Sequence, residues 1–265
     1  MSILKRALIK ASGNRLMQIL LERTERFSQN LMGIGSGTDV HSSGEKTIFE
    51  ILRRKNQPPY CLFDVGSNKG QYLQLILDNI RDSEFSIHCF EPGHETFKHL
   101  VESAVDDGRI KLNNIGLGKE GGEVVLHYDS AGSGLASLTK RKLDHYNIDF
   151  SKTEKVQINT IDNYCQEHSI SYIHLLKIDI EGHELDALVG AKKMFDRNSI
   201  DIITFEFGGC NIDTRTFFRD YWYFFNKVNF KIFRLTPSGY LHPLESYKEI
   251  YEQFTTTNFV AVSNG

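Results

Sequence analysis

Short apolar runs alternate with amphipathic stretches from residue 58 onward. The runs at 60–65, 85–90, 110–115, 173–179 and 200–206 have the length and β-branched or aromatic content of buried strands. Between them, periodic stretches predict helices over 70–80, 93–104, 161–168 and 181–194. This alternation is typical of right-handed βαβ units, so we predict an α/β fold built around a mostly parallel sheet.

The two ends of the chain do not follow this alternation of strands and helices. Residues 3–31 have the apolar spacing of a helix, with Leu4, Leu8, Leu16, Leu20 and Leu31 among the apolar positions. Glycines at 33–37 end it, and a short helix follows to about residue 55. After an aromatic-rich helix at about 214–227, runs at 230–234 and 259–262 predict a closing antiparallel strand pair.

We therefore divide the chain into an N-terminal helical extension over 1–57 and a main domain over 58–265. We expect the first helix to pack on the domain or on a second subunit, which would make a homodimer possible. The alternative is an amphipathic patch that contacts a membrane surface. Predicted strands at 123–128 and 155–159 bound an inserted hairpin at about 120–158, whose residues 129–153 we expect to cover a ligand as a lid.

Composition and charge exclude several classes of protein. The formal net charge of the 265 residues is −3 and the pI is about 6.4, which argues against general nucleic-acid binding. No apolar run approaches the roughly 20 residues that span a bilayer, and we find no signal peptide. Four cysteines without C-x-x-C spacing indicate reduced thiols and a cytoplasmic location, and no disulfide frame or zinc site.

Two strand ends carry the pattern of a nucleoside site. The first predicted strand ends in Asp64-x-Gly66-x-x-x-Gly70, a glycine turn that opens a helix, and the second ends in Glu91-Pro92. Glycines let the backbone approach a ligand, and an acid at the neighbouring strand end can accept hydrogen bonds from a ribose. The spacing differs from the G-x-G-x-x-G dinucleotide fingerprint and suits the small zwitterionic tail of S-adenosylmethionine better. The candidate cofactor-binding residues are Asp64, Gly66, Ser67, Asn68, Gly70, Glu91 and Pro92.

A second group of ionisable residues lies where a later strand meets its helix. Residues 177–184 read KIDIEGHE, and Glu206 ends the next predicted strand in the same way. Asp179 is our first candidate for a catalytic base, followed by Glu181, His183 and Glu206. Acids in a first helical turn also interact favourably with the helix dipole, which is the alternative interpretation of Glu181 and Glu184.

Together these residues resemble the FkbM-type methyltransferases. The resemblance covers roughly residues 43–208, and its distinctive part is the Lys-x-Asp-x-Glu-Gly-x-Glu element at 177–184. It implies a Rossmann-like class I methyltransferase fold and S-adenosylmethionine as the cofactor. It also implies that Asp64, Gly66, Asn68 and Gly70 hold the methionine end, and that Glu91 holds the ribose.

The function that we expect is O-methylation of a hydroxyl on a saccharide or related small molecule. Alternatives are N-methylation, methylation of a non-sugar metabolite, a nicotinamide-dependent oxidoreductase, and a catalytically silent scaffold. A Mg²⁺ ion held by Asp179 and a neighbouring acid is a second way to activate the acceptor.

Overall fold

The computed structural model describes residues 3–37 and 42–264. The main sheet contains β1 (Tyr60–Val65), β2 (Phe85–Phe90), β3 (Ile110–Asn113), β7 (Ile173–Ile178), β8 (Ile200–Phe207), β9 (Phe230–Leu235), β10 (Leu241–Pro243) and β11 (Thr257–Ser263). A smaller sheet contains β4 (Gly116–Leu117), β5 (Gly122–Tyr128) and β6 (Lys152–Asn159). The described helices are α1 (Ile3–Ala11), α2 (Arg15–Leu31), α3 (Thr47–Lys55), α4 (Gln71–Ile80), α5 (His94–Ser103), α6 (Ile161–Glu167), α7 (Glu184–Val189), α8 (Lys192–Asp196), α9 (Cys210–Thr214) and α10 (Phe218–Lys227).

The strand order of the main sheet confirms the predicted fold class. The order is β10-β9-β11-β8-β7-β1-β2-β3, and β3, β2, β1, β7 and β8 pair in parallel. Strand β11 lies between β8 and β9 and is antiparallel to both. This is a mostly parallel Rossmann-like sheet closed by an antiparallel C-terminal strand pair, the class I methyltransferase arrangement. The order reverses at β1, so β1 and its neighbours border the crevice where ligands bind in such sheets.

Alternate residues of the central strands supply two separate cores. Phe63 and Val65 join an aromatic-rich cluster on one face of the sheet. Leu62 joins a second cluster on the other face, beneath α3 and α4. Both faces are therefore covered, which explains why these strands read as continuous apolar runs.

Two predicted helices begin later in the structure than the sequence indicates. The segment predicted at 181–194 starts only with α7 at Glu184, because Glu181 and Gly182 have φ angles of 55° and 101°. It breaks again at Gly190, where a Cβ would lie 2.1 Å from the carbonyl oxygen of Gly118. The helix predicted at 214–227 begins only with α10 at Phe218, because the preceding α9 ends at Thr214 and Arg215 has a φ of 57°.

The single N-terminal helix predicted over 3–31 is two helices in the structure. The chain breaks after α1, and Asn14 caps α2 by accepting a hydrogen bond from the Met17 N–H. None of the residues of α2 is buried and Leu16 is 79% exposed, but Gln29 near the end of α2 donates a hydrogen bond to Gln253 of the main domain at 3.1 Å. A contact with a second subunit stays a prediction. No helix in the described ranges is long and apolar enough to cross a membrane.

The smaller sheet places a covering segment beside the main sheet. Strands β5 and β6 pair antiparallel from Gly122–Ile158 to Tyr128–Lys152. The connection over 129–151 contains a short 3₁₀ turn (Asp144–Tyr146) and buries Leu143 and Phe150. We call residues 129–151 the covering loop.

Candidate active site

A crevice opens at the carboxyl ends of β1, β2 and β7. Its walls combine the glycine turn, the end of β2, the end of β7 and the covering loop. Of the predicted cofactor-binding residues, the structure places Gly66, Asn68, Glu91 and Pro92 in these walls.

The glycine turn is held against the end of β7. Gly66 has a φ of 80°, and a Cβ at this position would lie 1.8 Å from the carbonyl oxygen of Asp179. Asn68 follows with a φ of 49°. Its Oδ1 is buried and accepts no hydrogen bond from the described residues. A buried acceptor without a donor fits the ammonium group of an amino-acid tail such as that of S-adenosylmethionine.

Glu91 lies at the end of β2 as a buried carboxyl group. It is 7% exposed, and its oxygens accept hydrogen bonds from the Gly93 N–H at 2.9 Å and the Asn68 N–H at 3.0 Å. Burial raises the pKa of Glu91 to about 7. Each carboxylate oxygen has two lone pairs, so each can still accept a bond from a ribose hydroxyl.

Three of the predicted cofactor-binding residues shape the turn from outside the crevice. Asp64 is fully buried, and the β1–β7 register places it beside Lys177, whose Nζ lies 3.2 Å from its Oδ1. Ser67 Oγ donates to the Asp64 carbonyl oxygen at 2.7 Å. Gly70 precedes α4 with a φ of 90°. These residues support the turn, and Ser67 also lines a neighbouring cavity.

Asp179 lies where the crevice meets two further cavities. Its side chain is 43% exposed and borders all three spaces. We call the two further spaces together the side cavity; Glu45, Tyr72, Lys177, Glu206 and Asn258 line its walls. Lys177 Nζ lies 3.7 Å from Asp179 Oδ2. Burial alone would lower the pKa of Lys177, but the carboxylates of Asp64 and Asp179 outweigh it and raise that pKa.

Glu181 and His183 also reach the crevice, but each is engaged by the covering loop. Glu181 pairs with Arg141, and its main-chain carbonyl oxygen accepts a bond from Ser137 Oγ at 2.9 Å. Burial, reinforced by the charge of Asp179 and opposed by Arg141, raises the pKa of Glu181 to about 8. His183 contacts Asp186 through Nδ1 at 2.9 Å and Thr139 through Nε2 at 3.0 Å.

Glu206 lines the side cavity and does not line the crevice. Burial and the nearby charges of Asp179 and Glu181 raise its pKa well above the usual value. Glu184, for which we weighed a purely structural role, is fully buried and accepts bonds from two backbone N–H groups and from Tyr221 Oη. No group of three or more His, Cys, Asp or Glu side chains in the described ranges could hold a metal ion.

Sequence reasoning missed two residues of this site. Glu45 precedes α3 in what reads as a connector, yet it is 9% exposed and faces Lys177 across the side cavity. Arg141 lies in the covering loop, and its guanidinium contacts Glu181 and lies 3.8 Å from Asp213. Neither residue stands in a recognisable motif, so only their positions in space reveal them.

Comparisons with known proteins find methyltransferases. The model of the Methyltransferase FkbM domain matches residues 64–232. The 2-O-methyltransferase NoeI of Sinorhizobium fredii is 22% identical over 187 residues, which cover 67% of this chain and 73% of NoeI. The hexuronic acid methyltransferase AglP of Haloferax volcanii is 25% identical over 150 residues, 56% of each protein. The chain thus spans little more than half the length of AglP.

A solved methyltransferase FkbM from Methylobacillus flagellatus covers 92% of this chain and 60% of its own, with a TM-score of 0.46 and 14% identity. The family assignment depends on the domain match, which covers more than half of the chain. The match includes the two predicted strand ends with Asp64 and Glu91, and the segment 177–184. The chain therefore belongs to the FkbM family of S-adenosylmethionine-dependent methyltransferases.

Proposed function

We propose that this methyltransferase transfers the methyl group to a hydroxyl of a saccharide or a related small molecule. Two relatives support this proposal by their names, one being a 2-O-methyltransferase and the other a hexuronic acid methyltransferase. The polar walls of the side cavity support it as well, because a hydroxylated ring needs hydrogen-bond partners wherever it is buried. The observation that carries the proposal is the position of Asp179, a partly exposed carboxylate at the junction of crevice and side cavity.

We assign the crevice to the cofactor. Asn68 Oδ1 and the backbone around Gly66 would hold the methionine end, and Glu91 would accept bonds from the ribose hydroxyls. S-adenosylmethionine supplies an activated methyl group on a sulfonium centre. Leu117 and Ile158 form an apolar wall of the same crevice, which would help to exclude water from the reacting groups.

Asp179 would act as the base for the acceptor hydroxyl. Attack on the methyl carbon leaves the acceptor oxygen with a proton that must be lost, and a carboxylate within about 3 Å can take it. Lys177 holds Asp179 from the side of the sheet, at 3.7 Å. The rest of the enzyme's contribution is to align the two reactants and exclude water.

The other predicted candidates are less suited to this role. Glu181 is paired with Arg141, and both ring nitrogens of His183 already contact partners. Glu206 lies in the side cavity and does not line the crevice, and burial raises its pKa well above the usual value. We therefore rank Asp179 first, and we route no step through a metal ion.

Methyl transfer from radiolabelled S-adenosylmethionine to a panel of free sugars and glycosides tests the proposal. We expect label in a product whose mass exceeds that of the acceptor by one methylene, and loss of this product when the acceptor hydroxyl is replaced by hydrogen. Label found only on amines or on non-hydroxylated compounds would refute O-methylation.

Features outside the site support proposals about the location of the enzyme and its oligomeric state. We propose a cytoplasmic location, which the four free cysteine thiols favour. We also propose that the exposed apolar residues of α2 contact a second copy of the chain. Sedimentation of the full chain compared with a chain that lacks residues 1–31 would test that contact.

A further inference from the structure

The side cavity has an unusual balance of charge. Carboxyl groups enter its walls from three directions: Glu45 from the segment before α3, Asp179 from the end of β7, and Glu206 from the end of β8. Within the described ranges, Lys177 is the one cationic residue in those walls. An acceptor that enters here would meet several carboxyl groups and a single ammonium.

The charge of Lys177 is already engaged by the protein. Its Nζ lies 3.2 Å from Asp64 Oδ1 and 3.7 Å from Asp179 Oδ2, and it donates to the Gly66 carbonyl oxygen at 2.9 Å. Of these contacts the one to Gly66 is a hydrogen bond, and the other two are ion pairs in which two carboxylates balance the positive charge of Lys177. A carboxylate on an acceptor would therefore meet a lysine whose charge is already paired.

Glu45 is held in place, although it lies outside the matched methyltransferase domain. The preceding Gly44 has a φ of 83°, and a Cβ there would lie 2.3 Å from the Thr236 carbonyl oxygen. The following turn leads into α3, whose Ile48 is fully buried. Ser43 Oγ donates to Glu45 Oε2 at 2.5 Å. The carboxyl group is thus a fixed part of the cavity wall.

The neighbouring wall offers neutral partners for hydroxyl groups. Glu206 and Asn258 are register partners on β8 and β11, so their side chains lie together at one edge of the sheet. An amide both donates and accepts, as does a protonated carboxyl. Burial raises the pKa of Glu45 to about 7 and raises that of Glu206 as well, and a carboxyl group is negative or neutral but never positive.

We propose that Glu45 is a specificity-determining residue of the acceptor site, and that this site selects an uncharged polyhydroxylated ring over a ring bearing a carboxylate. The inference rests on the proposed function and deepens it. It also separates this chain from the relative AglP, whose name gives a hexuronic acid as its substrate. A like charge in a cavity without a free cation opposes binding, and we expect the difference to be at least about tenfold.

Matched pairs of methyl glycosides test this inference. A glucoside and its glucuronide, or a galactoside and its galacturonide, differ only in the exocyclic group, which is CH₂OH in the first member and a carboxylate in the second. Binding to the full chain saturated with S-adenosylhomocysteine can be measured by saturation-transfer NMR. We expect the neutral member of at least one pair to bind at least about tenfold more tightly than its uronate. Tighter binding of the uronates, or no binding of either series, would overturn the inference.

Substitutions at Glu45 separate its role from folding. Glu45→Gln should weaken binding of the neutral glycoside by about tenfold, narrow its advantage over the uronate, and leave S-adenosylhomocysteine affinity within about twofold. Glu45→Asp should recover part of the lost binding. Glu50→Gln, on the exposed face of α3, is the matched control and should change nothing. Unchanged glycoside binding in Glu45→Gln would overturn the assignment.

The proposed function is tested separately, by the assay of methyl transfer from S-adenosylmethionine. Methylation of a uronate hydroxyl as the preferred reaction would leave O-methylation standing and overturn only the neutral-acceptor inference. Tighter binding of neutral glycosides than of uronates, without any methyl transfer to a hydroxyl, would support the neutral-acceptor inference and overturn the proposed O-methylation.

Discussion

Asp179→Asn separates chemistry from binding and folding more sharply than any other substitution in this site. The change keeps the shape of the side chain and removes its charge. If Asp179 takes the proton of the acceptor, turnover should fall by about 10²–10⁴, the usual contribution of a general base. That loss corresponds to a barrier increase of about 3–5 kcal/mol.

The structure predicts a much smaller effect on stability. The contact that is lost is the 3.7 Å pair with Lys177, and 43% of the Asp179 side chain is exposed. Partly exposed ion pairs contribute about 0–1 kcal/mol. Lys177 also keeps its contacts with Asp64 at 3.2 Å and with the Gly66 carbonyl oxygen at 2.9 Å, so no buried charge is left unpaired. We therefore expect the melting temperature to change by less than about 3 °C.

The assay combines three readouts on the same preparation. Turnover is measured with labelled S-adenosylmethionine, S-adenosylhomocysteine affinity by calorimetry, and unfolding by differential scanning. We expect turnover to fall while the affinity for S-adenosylhomocysteine stays within about threefold, because Gly66, Asn68 and Glu91 are unchanged. Asp196→Asn, at an exposed position of α8, is the matched control. Near-normal turnover in Asp179→Asn would refute the base assignment and make His183 or Glu206 the next candidate, and a large loss of stability would show a structural role instead.

Further predictions concern the cofactor acid, the covering loop and the core. Ribose hydroxyls donate to the ionised form of Glu91, whose pKa is about 7, so S-adenosylhomocysteine should bind more weakly as the pH falls below 7. In a calorimetric pH series, Glu91→Gln should flatten this dependence. Arg141→Met removes the contacts with Glu181 and Asp213, so hydrogen exchange of residues 129–151 should accelerate without added ligand, and unchanged exchange would show that other contacts hold the loop. Phe207→Ala empties a fully buried position and should lower the free energy of unfolding by about 3–5 kcal/mol in a denaturant titration; a cost below about 1 kcal/mol would contradict the packing seen here.

The parts of the site that lie on parallel strands could be predicted from the sequence. Strand ends of a parallel sheet meet at one edge, so Asp64, Glu91, Asp179 and Glu206 had to lie near each other once the strands were recognised. The twofold period of a strand adds more. Leu175, Lys177 and Asp179 alternate with buried residues of the opposite face, so all three lie on the side of the second core cluster.

The functional division among these acids could not be predicted, because it depends on register and burial. The pairing of Asp64 with Lys177 follows from a register that the sequence does not state. This register places the Asp64 side chain against Lys177 beneath the glycine turn. The helix predicted from 181 fails for a related reason, since two residues with positive φ carry the chain away from β7 before α7 can begin. Sequence periodicity does not report such backbone conformations.

The position of Lys177 explains how so many acids can share this edge of the sheet. One buried ammonium lies within 3.7 Å of a carboxylate oxygen of Asp64 and of Asp179, so it pairs with both. Two other acids of the site are more strongly affected by burial, which raises the pKa of Glu91 to about 7 and that of Glu181 to about 8. Under the proposed function, Asp179 would accept the proton of the acceptor hydroxyl, while neighbours whose pKa lies near or above neutral would bind the ring with less repulsion.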